Sequence, residues 1–154
     1  MKHILLSLLL FIGVSAHAEN NQEQVNSTLN ALHHNASVAN FTEYFNLYHH
    51  SAVFIGTDAT EVWTKEEFQA YAKPHFDKGK GWTYHPRDRH IYFSANEDVA
   101  WFDELLDNDS LGETRGTGVL VKEGGVWKVT QYHLTIPIPN ALAGAIAEQI
   151  KSTN

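Results

Sequence analysis

Helix-like and strand-like patterns occupy separate halves of this chain, and their separation limits the fold more than any other feature of the sequence. From residue 21 to residue 76 the apolar side chains mostly recur every three or four positions, the period of a helix with one buried face. From residue 82 to residue 136 short apolar runs alternate with turn residues, as in antiparallel strands. Helices that precede such strands indicate an α+β fold, in which a curved, mostly antiparallel sheet packs on three N-terminal helices as a cone with an open mouth.

The individual elements follow from the same patterns. Three helices are predicted, over residues 21–34, from residue 41 to residue 49 or 50, and from residue 65 to residue 76. Thr64 and Glu67 form a capping-box pattern at the start of the third helix. A short strand is predicted at residues 52–56, before that helix. The later elements are predicted as strands at residues 82–93 (disturbed at Pro86), 99–106, 114–122 and 127–136, followed by a helix at residues 141–150.

The first eighteen residues have the pattern of a secretory signal peptide. Lys2 precedes an apolar run from Ile4 to Val14, and small residues follow at Ala16 and Ala18. The run is shorter than the roughly 20 residues that a membrane-spanning helix needs. We therefore expect a signal peptide at residues 1–18, one domain at residues 19–154, and a periplasmic or secreted location.

The composition of the remaining domain, of about 136 residues, limits its partners and its means of stabilisation. The chain contains no cysteine, so the fold depends on its own hydrophobic core and not on disulfides. Its formal net charge is −7, and the predicted signal peptide carries one lysine and no acidic residue. Because an acidic surface repels phosphate backbones, we expect no nucleic-acid partner, and no membrane partner after cleavage.

Four segments carry a family resemblance: SAVFIGTDATEVW at residues 51–63, VAWFDE at 99–104, RGTGVL at 115–120 and GVWKVTQYHL at 125–134. They resemble SnoaL-like domains of the nuclear transport factor 2-like superfamily, which also contains ketosteroid isomerases and scytalone dehydratases. The resemblance covers roughly residues 22–140. It implies an α+β cone with a ligand pocket between sheet and helices, often in a homodimer, and in the enzymatic branches acids, tyrosines or histidines that project into the cone.

The chain departs from the ketosteroid isomerase pattern at the end of the first strand. The resemblance places that enzyme's catalytic aspartate there, where this chain has Ile55 and Gly56. Asp58 lies nearby in a different register. The departure argues against a steroid isomerase.

Asp103, Glu104 and His133 are the candidate catalytic residues. Asp103 and Glu104 are adjacent on a strand, so they point to opposite faces and only one can face the cone. Burial in an apolar pocket would raise the pKa of that acid and suit it to general acid–base work, with His133 as a proton shuttle. The alternatives are an acid that is paired with Arg115 or Arg89 or is exposed at a strand end, and a histidine that is hydrogen-bonded within the sheet.

Five residues are candidates for ligand binding. Arg115 begins a strand with two glycines and could hold a carboxylate, or it could form a salt bridge at the rim. Glu61 and Trp63 follow the first strand, either as loop residues of a site or as a helix-start acid and a tryptophan packed on the third helix. Tyr84 and Trp101 line an aromatic pocket or belong to the core. Aromatic walls with Arg115 would suit a flat organic acid.

The histidines do not predict a metal site. Residues 33–34 and 49–50 are adjacent pairs, and neighbours on a helix point about 100° apart. Metal-binding pairs on helices are instead three or four residues apart, as in H-E-x-x-H. The sequence also lacks a phosphate-binding loop and a dinucleotide fingerprint, so we expect no metal and no cofactor.

Three functions are consistent with these patterns. The first is an exported protein that binds a small molecule in the cone. The second is a cofactor-independent enzyme that runs acid–base chemistry there, such as an isomerase, dehydratase or cyclase. The third is an oligomeric interaction domain that uses the outer face of the sheet.

Overall fold

The computed structural model describes residues 11–153, with side chains from residue 21 to residue 153, and this part of the chain forms four helices and one six-stranded sheet. The α+β class expected from the sequence is confirmed. The elements in chain order are α1 (Phe11–Ser37), α2 (Phe41–Asn46), β1 (Tyr48–Ile55), β2 (Val62–Thr64), α3 (Lys65–Phe76), β3 (His85–Phe93), β4 (Val99–Asn108), β5 (Gly112–Glu123), β6 (Val126–Thr135) and α4 (Asn140–Thr153).

The sheet is mostly antiparallel and has the strand order β2-β1-β6-β5-β4-β3. Among the paired strands of the described chain, only β1 and β6, the second and third in this order, run parallel. Helices α1 and α3 pack against the sheet. The buried apolar side chains of α1 are spaced by four, three and four and confirm the predicted apolar face; they are Val25, Leu29, Leu32 and Ala36. They form one core with inward-facing strand residues that include Phe102, Leu120 and Val129.

Helix α1 is longer than predicted at both ends. It begins at Phe11, within the predicted signal peptide, and continues to Ser37. Residues 1–10 of that predicted peptide lie outside the described residues, and its cleavage stays a prediction. None of the described helices is both long enough and apolar enough to cross a membrane.

Helix α2 is shorter than predicted, because the residues of its last predicted turn belong to strand β1 instead. The aromatic spacing predicted a helix to residue 49 or 50, but α2 ends at Asn46 and Tyr48 already pairs with Val129 of β6. The Tyr48 hydroxyl still lies 2.9 Å from the Tyr44 hydroxyl in the core. The helical spacing of the aromatic residues in this segment therefore predicted correctly which side chains are buried, but it predicted the wrong secondary structure after Asn46.

The edges of the sheet differ from the prediction in two places. Strand β3 begins at His85, so residues 82–84 precede it, and Pro86 lies within this edge strand, where a missing amide donor is tolerated. The three-residue strand β2, at the other edge, was not predicted. The start of α3, by contrast, was predicted correctly. Thr64 and Glu67 form the capping box there, because the Glu67 amide donates to Thr64 Oγ1 at 3.2 Å and the Thr64 amide donates to Glu67 Oε2 at 2.8 Å.

Candidate functional site

A cavity opens between the helices and the inner face of the sheet. Its volume is about 280 Å³, near the lower end of the usual range for small-molecule sites, roughly 300–1,000 Å³. Its walls are largely aromatic and include Tyr44, Phe54, Trp63, Phe68, Trp82 and Tyr84. The cavity therefore offers flat apolar surfaces to a small molecule.

Trp63 forms part of one wall through a series of stacked rings. Its ring lies 4.8 Å from Tyr71 of α3 and 6.0 Å from Phe54 of β1, with interplanar angles of 27° and 12°. Phe54 in turn stacks on Phe68 at 3.9 Å. Trp63 thus both lines the cavity and packs on α3, and its role in ligand binding stays a prediction.

The carboxylate of Glu104 lies behind the cavity wall and is fully buried. Its Oε1 is 2.7 Å from His33 Nε2 and 3.1 Å from the hydroxyl of Tyr132, and its Oε2 accepts a 2.7 Å bond from Arg89 Nε. Burial raises the pKa of Glu104, but the hydrogen bonds and positive charges of His33 and Arg89 outweigh it, and the pKa falls below the ordinary 4.5. Glu104 is therefore an ionised acceptor that holds its neighbours in place.

His33 connects this buried carboxylate to the cavity. The ring lines the cavity, and its side chain is 10% exposed. Because Nε2 faces an ionised oxygen, it carries a proton and donates, so a neutral His33 has its lone pair on Nδ1. Within the described part of the chain, Nδ1 has no hydrogen-bond partner and is not among the buried unpaired atoms. Nδ1 is thus left free to interact with a molecule from solvent.

Arg89 binds the carboxylate oxygen of Glu104 that His33 does not contact. Its side chain is 9% exposed, and its Nη1 donates to the side-chain oxygens of Asn26 and Asn30 on α1, the latter at 2.8 Å. The pairing of Glu104 with Arg89, which the sequence left open as an alternative, is therefore formed. The sequence had predicted that burial in a pocket would raise the pKa of this acid. The pairing with Arg89 helps to explain why the buried Glu104 is ionised instead.

Gly116 leaves room for the hydroxyl of Tyr132 beside Glu104. A Cβ atom at Gly116 would lie 2.3 Å from the Tyr132 hydroxyl and 3.1 Å from Glu104 Oε1. Burial raises the pKa of Tyr132 well above 10.0, and the negative charge of Glu104 raises it further, so Tyr132 keeps its proton and donates it. At this position the strand glycine makes space for an internal hydrogen bond.

Glu61 places a carboxylate at the cavity. Its Oε2 accepts a 3.2 Å bond from the Asp58 amide and occupies the space in which a side chain at residue 56 would lie, 2.1 Å from a Cβ built on Gly56. Both Gly56 and Glu61 line the cavity. Asp58 is exposed and binds Thr60. The carboxylate nearest the end of β1 is thus supplied by the following loop.

The structure brings together part of the predicted set of site residues. Glu61, Trp63 and Tyr84 line the cavity, and Glu104 lies one contact behind it through His33 and Tyr132. Of the two adjacent acids, Glu104 is the one that faces inward. Whether any of these residues acts on a ligand stays a prediction.

Four predicted residues do not line the cavity: Trp101, Asp103, Arg115 and His133. Strand alternation explains the correction, because all four lie on the face opposite to Glu104 and its inward neighbours. Asp103 contacts His90 at 3.1 Å on this outer face, and Trp101 is 45% exposed and stacks on Tyr92. The carboxylate-binding role suggested for Arg115 therefore has no basis in this cavity.

His33 is the residue that the sequence interpretation missed. It lies on α1 next to Leu32 and three residues before Ala36, both on the buried face. That position was a usable signal for a histidine directed towards the core. Its contact with Glu104, 71 residues away in the chain, was not visible in the local pattern.

The comparisons with known proteins agree with this architecture. The family model described as SnoaL-like domain matches residues 25–139, which is most of the chain. No curated protein matches the sequence significantly.

Solved structures with the same fold are distant in sequence. An NTF2-like (nuclear transport factor 2-like) protein from Pseudomonas putida KT2440 has a TM-score of 0.66 at 13% identity, covering 80% of this chain and 90% of its own. A candidate dehydratase of the NTF2-like family from Streptomyces avermitilis has a TM-score of 0.67 at 13% identity, with 79% and 99% covered. A candidate scytalone dehydratase from Novosphingobium aromaticivorans has a TM-score of 0.66 at 11% identity, with 80% and 89% covered. At these identities the likeness establishes the fold alone.

Proposed function

We propose that this chain, which belongs to the SnoaL-like domain family, binds a small, flat, uncharged organic molecule in the cavity between its helices and sheet. The observation that carries the proposal is the combination of aromatic walls with a lining histidine, His33, whose Nδ1 has no hydrogen-bond partner within the described chain. Stacking on the walls favours a planar ligand, and the imidazole supplies a directional contact.

The charge of the lining favours an uncharged ligand. No lysine or arginine is among the cavity-lining residues of the described chain, whereas Glu61 contributes a carboxylate. An organic acid would meet this carboxylate without a fixed cation to offset the repulsion. The flat organic acid suggested by Arg115 is accordingly replaced by a neutral molecule of about one or two rings, since the cavity is near the small end of the usual range.

A neutral fluorescent probe tests this proposal directly. Prodan, an uncharged naphthalene with a ketone acceptor, should bind saturably with one molecule per chain and show a blue shift in emission. The Trp63→Ala variant should bind it about 3- to 10-fold more weakly, since stacking of aromatic pairs contributes about 0.5–1.5 kcal/mol. Fluorescence titration measures both effects.

The matched control is Trp101→Ala, which removes an exposed tryptophan from the outer face. It should leave the dissociation constant for prodan unchanged. Equal losses in the two variants, or tighter binding of the anionic probe anilinonaphthalene sulfonate than of prodan, would contradict a neutral ligand in this cavity.

Acid–base catalysis in the same cavity is the second candidate function, and the His33–Glu104 pair is the observation that favours it. The 2.7 Å contact fixes the imidazole, and the carboxylate stabilises the imidazolium that forms when Nδ1 takes a proton. In this interpretation His33 is the base and Glu104 is a positioning residue. The dehydratase names of two structural neighbours are compatible with such chemistry but belong to those proteins.

A generic proton-abstraction reaction tests the second candidate without the natural substrate. In 5-nitrobenzisoxazole, a base removes the ring C–H proton, the N–O bond breaks, and the electrons leave on the phenolate oxygen. The chain should accelerate this reaction saturably, and His33→Ala should lower the rate by at least about 100-fold, as for a lost general base. His133→Ala, on the outer face, should keep the native rate; equal rates in all three proteins would exclude His33 as a base.

Export and dimerisation also remain proposals. Export is supported by the pattern of residues 1–18, and N-terminal sequencing of the secreted protein should begin at Glu19.

A homodimer is supported by the exposed, stacked Tyr92 and Trp101 rings on the outer face of the sheet, 6.0 Å apart. Analytical ultracentrifugation at micromolar concentration distinguishes a dimer from a monomer. A dimer would support the hypothesis of an oligomeric interaction domain, and a monomer would contradict it.

A further inference from the structure

Two histidines and a glutamate form a cluster on the surface, apart from the cavity. His49 and His50 lie near the start of β1, and Glu123 ends β5. One ligand atom from each of the three side chains lies within 4.8 Å of the other two. None of the three residues lines the cavity described above.

A bulge in β1 makes this cluster possible. Adjacent residues on a regular strand point to opposite faces of the sheet, which would separate His49 from His50. The pairing of β1 with β6 changes register between Tyr48 and Val53, so the alternation is interrupted at these positions. The two imidazole rings consequently lie side by side, with centroids 4.0 Å apart.

The spacing of two ligand atoms matches that of a tetrahedral metal ion. Zinc bonds to imidazole nitrogen and carboxylate oxygen are about 2.0–2.2 Å long, so two such ligands at a tetrahedral angle are about 3.4 Å apart. His49 Nε2 and Glu123 Oε2 are 3.4 Å apart. The exposed His50 can complete a three-ligand set, which leaves a fourth position to water.

Ser51 contacts the ring nitrogen of His49 that does not face Glu123. The Ser51 hydroxyl oxygen is 2.8 Å from His49 Nδ1. The Ser51 amide donates to the same nitrogen at 3.2 Å, so without a metal ion a neutral His49 carries its proton on Nε2, the atom that faces Glu123. A metal ion at Nε2 would displace this proton, because a histidine ligand binds through a nitrogen lone pair.

We propose that His49, His50 and Glu123 bind one divalent transition-metal ion, with Zn²⁺ as the ion whose ligand preference and geometry the cluster fits. The sequence had predicted no metal site, because the 49–50 pair was assigned to a helix on which neighbours diverge. On a bulged strand beside a hairpin the same pair converges, and the third ligand comes from a residue more than 70 positions away.

Isothermal titration calorimetry with Zn²⁺ on the whole chain, without a histidine tag, tests the proposal. One ion should bind per chain with a dissociation constant below about 100 μM. His50→Ala and Glu123→Gln should each weaken binding at least about tenfold, since even outer-shell changes at metal sites cost that much. Both side chains are exposed, so the fold should tolerate the changes.

The matched control is His90→Ala, which removes another exposed histidine that contacts a carboxylate, that of Asp103. It should leave the zinc affinity unchanged, and amide shifts in NMR spectra on adding Zn²⁺ should centre on residues 49–51 and 123. Zinc binding that is insensitive to both cluster variants, a stoichiometry of half an ion per chain, or no binding at 100 μM would each overturn the proposal.

Discussion

Replacing Glu104 with alanine is expected to lower the free energy of unfolding by about 3–5 kcal/mol, the usual cost of removing one partner of a buried ion pair. The Arg89 guanidinium is 9% exposed and would lose its carboxylate, while its Nη2 already has no partner within the described chain. The Tyr132 hydroxyl and His33 would lose the same acceptor. Urea denaturation followed by circular dichroism measures the loss.

Acid pH should reduce the contribution of Glu104 to the free energy of unfolding of the native chain. The folded-state pKa of Glu104 lies below its ordinary value of 4.5, so its stabilisation is complete above that pH and is lost as the pH falls through the lower, folded-state pKa. The stability difference between the native chain and Glu104→Gln, which keeps the shape without the charge, should therefore narrow below about pH 4.5.

Asp103 provides a neighbouring control on the other face of β4. Its side chain is 42% exposed, so Asp103→Ala should change the free energy of unfolding by no more than about 0.5 kcal/mol. If Glu104→Ala were as stable as Asp103→Ala, the His33–Glu104–Arg89 cluster would not be a structural unit, and the fixed orientation of His33 would lose its support.

Filling the cavity should abolish ligand binding. Ala36 is 2% exposed and lines the cavity, so a phenylalanine at this position directs a ring into a volume of about 280 Å³. We expect Ala36→Phe to weaken binding of prodan by at least about 100-fold, equivalent to about 2.7 kcal/mol. The added ring also risks overpacking, with a typical cost of about 1–3 kcal/mol, so the stability of the variant is measured alongside binding.

Two further variants separate occlusion from misfolding. Val38→Phe adds a ring two residues away at a position that is 56% exposed, and it should bind prodan like the native chain. Leu111→Trp enlarges a partly exposed lining residue, 42% exposed, and should reduce binding while leaving the core unchanged. Native affinity in both Ala36→Phe and Leu111→Trp would place the binding site elsewhere.

Local patterns predicted most of the fold, because burial and capping act over a few residues. The apolar face of α1 and the capping box at Thr64 depend on neighbours within one or two turns. The end of α2 was predicted wrongly because pairing of Tyr48 with Val129, 81 positions later, decides its conformation. Three-residue β2 likewise exists through its pairing with β1 and has no periodicity of its own.

The candidate site was predicted only where strand alternation or loop position was informative. The alternation of side chains along a strand correctly predicted that Asp103 and Glu104 point to opposite faces of the sheet. It could not predict which of the two faces inward. That choice depends on Arg89 and His33, which reach Glu104 from β3 and α1. The same alternation placed Arg115 and His133 on the outer face, where a prediction based on residue type alone had assigned them to the pocket.

A crystal structure of the chain with prodan bound tests the central claim most directly, because it locates the ligand relative to His33. We predict one molecule in the cavity, with its rings against Trp63 and Phe54. A ligand with a donor group should in addition direct that group towards the lone pair on His33 Nδ1. An empty cavity in crystals that hold prodan elsewhere, or a cavity filled by rearranged side chains, would contradict the proposal.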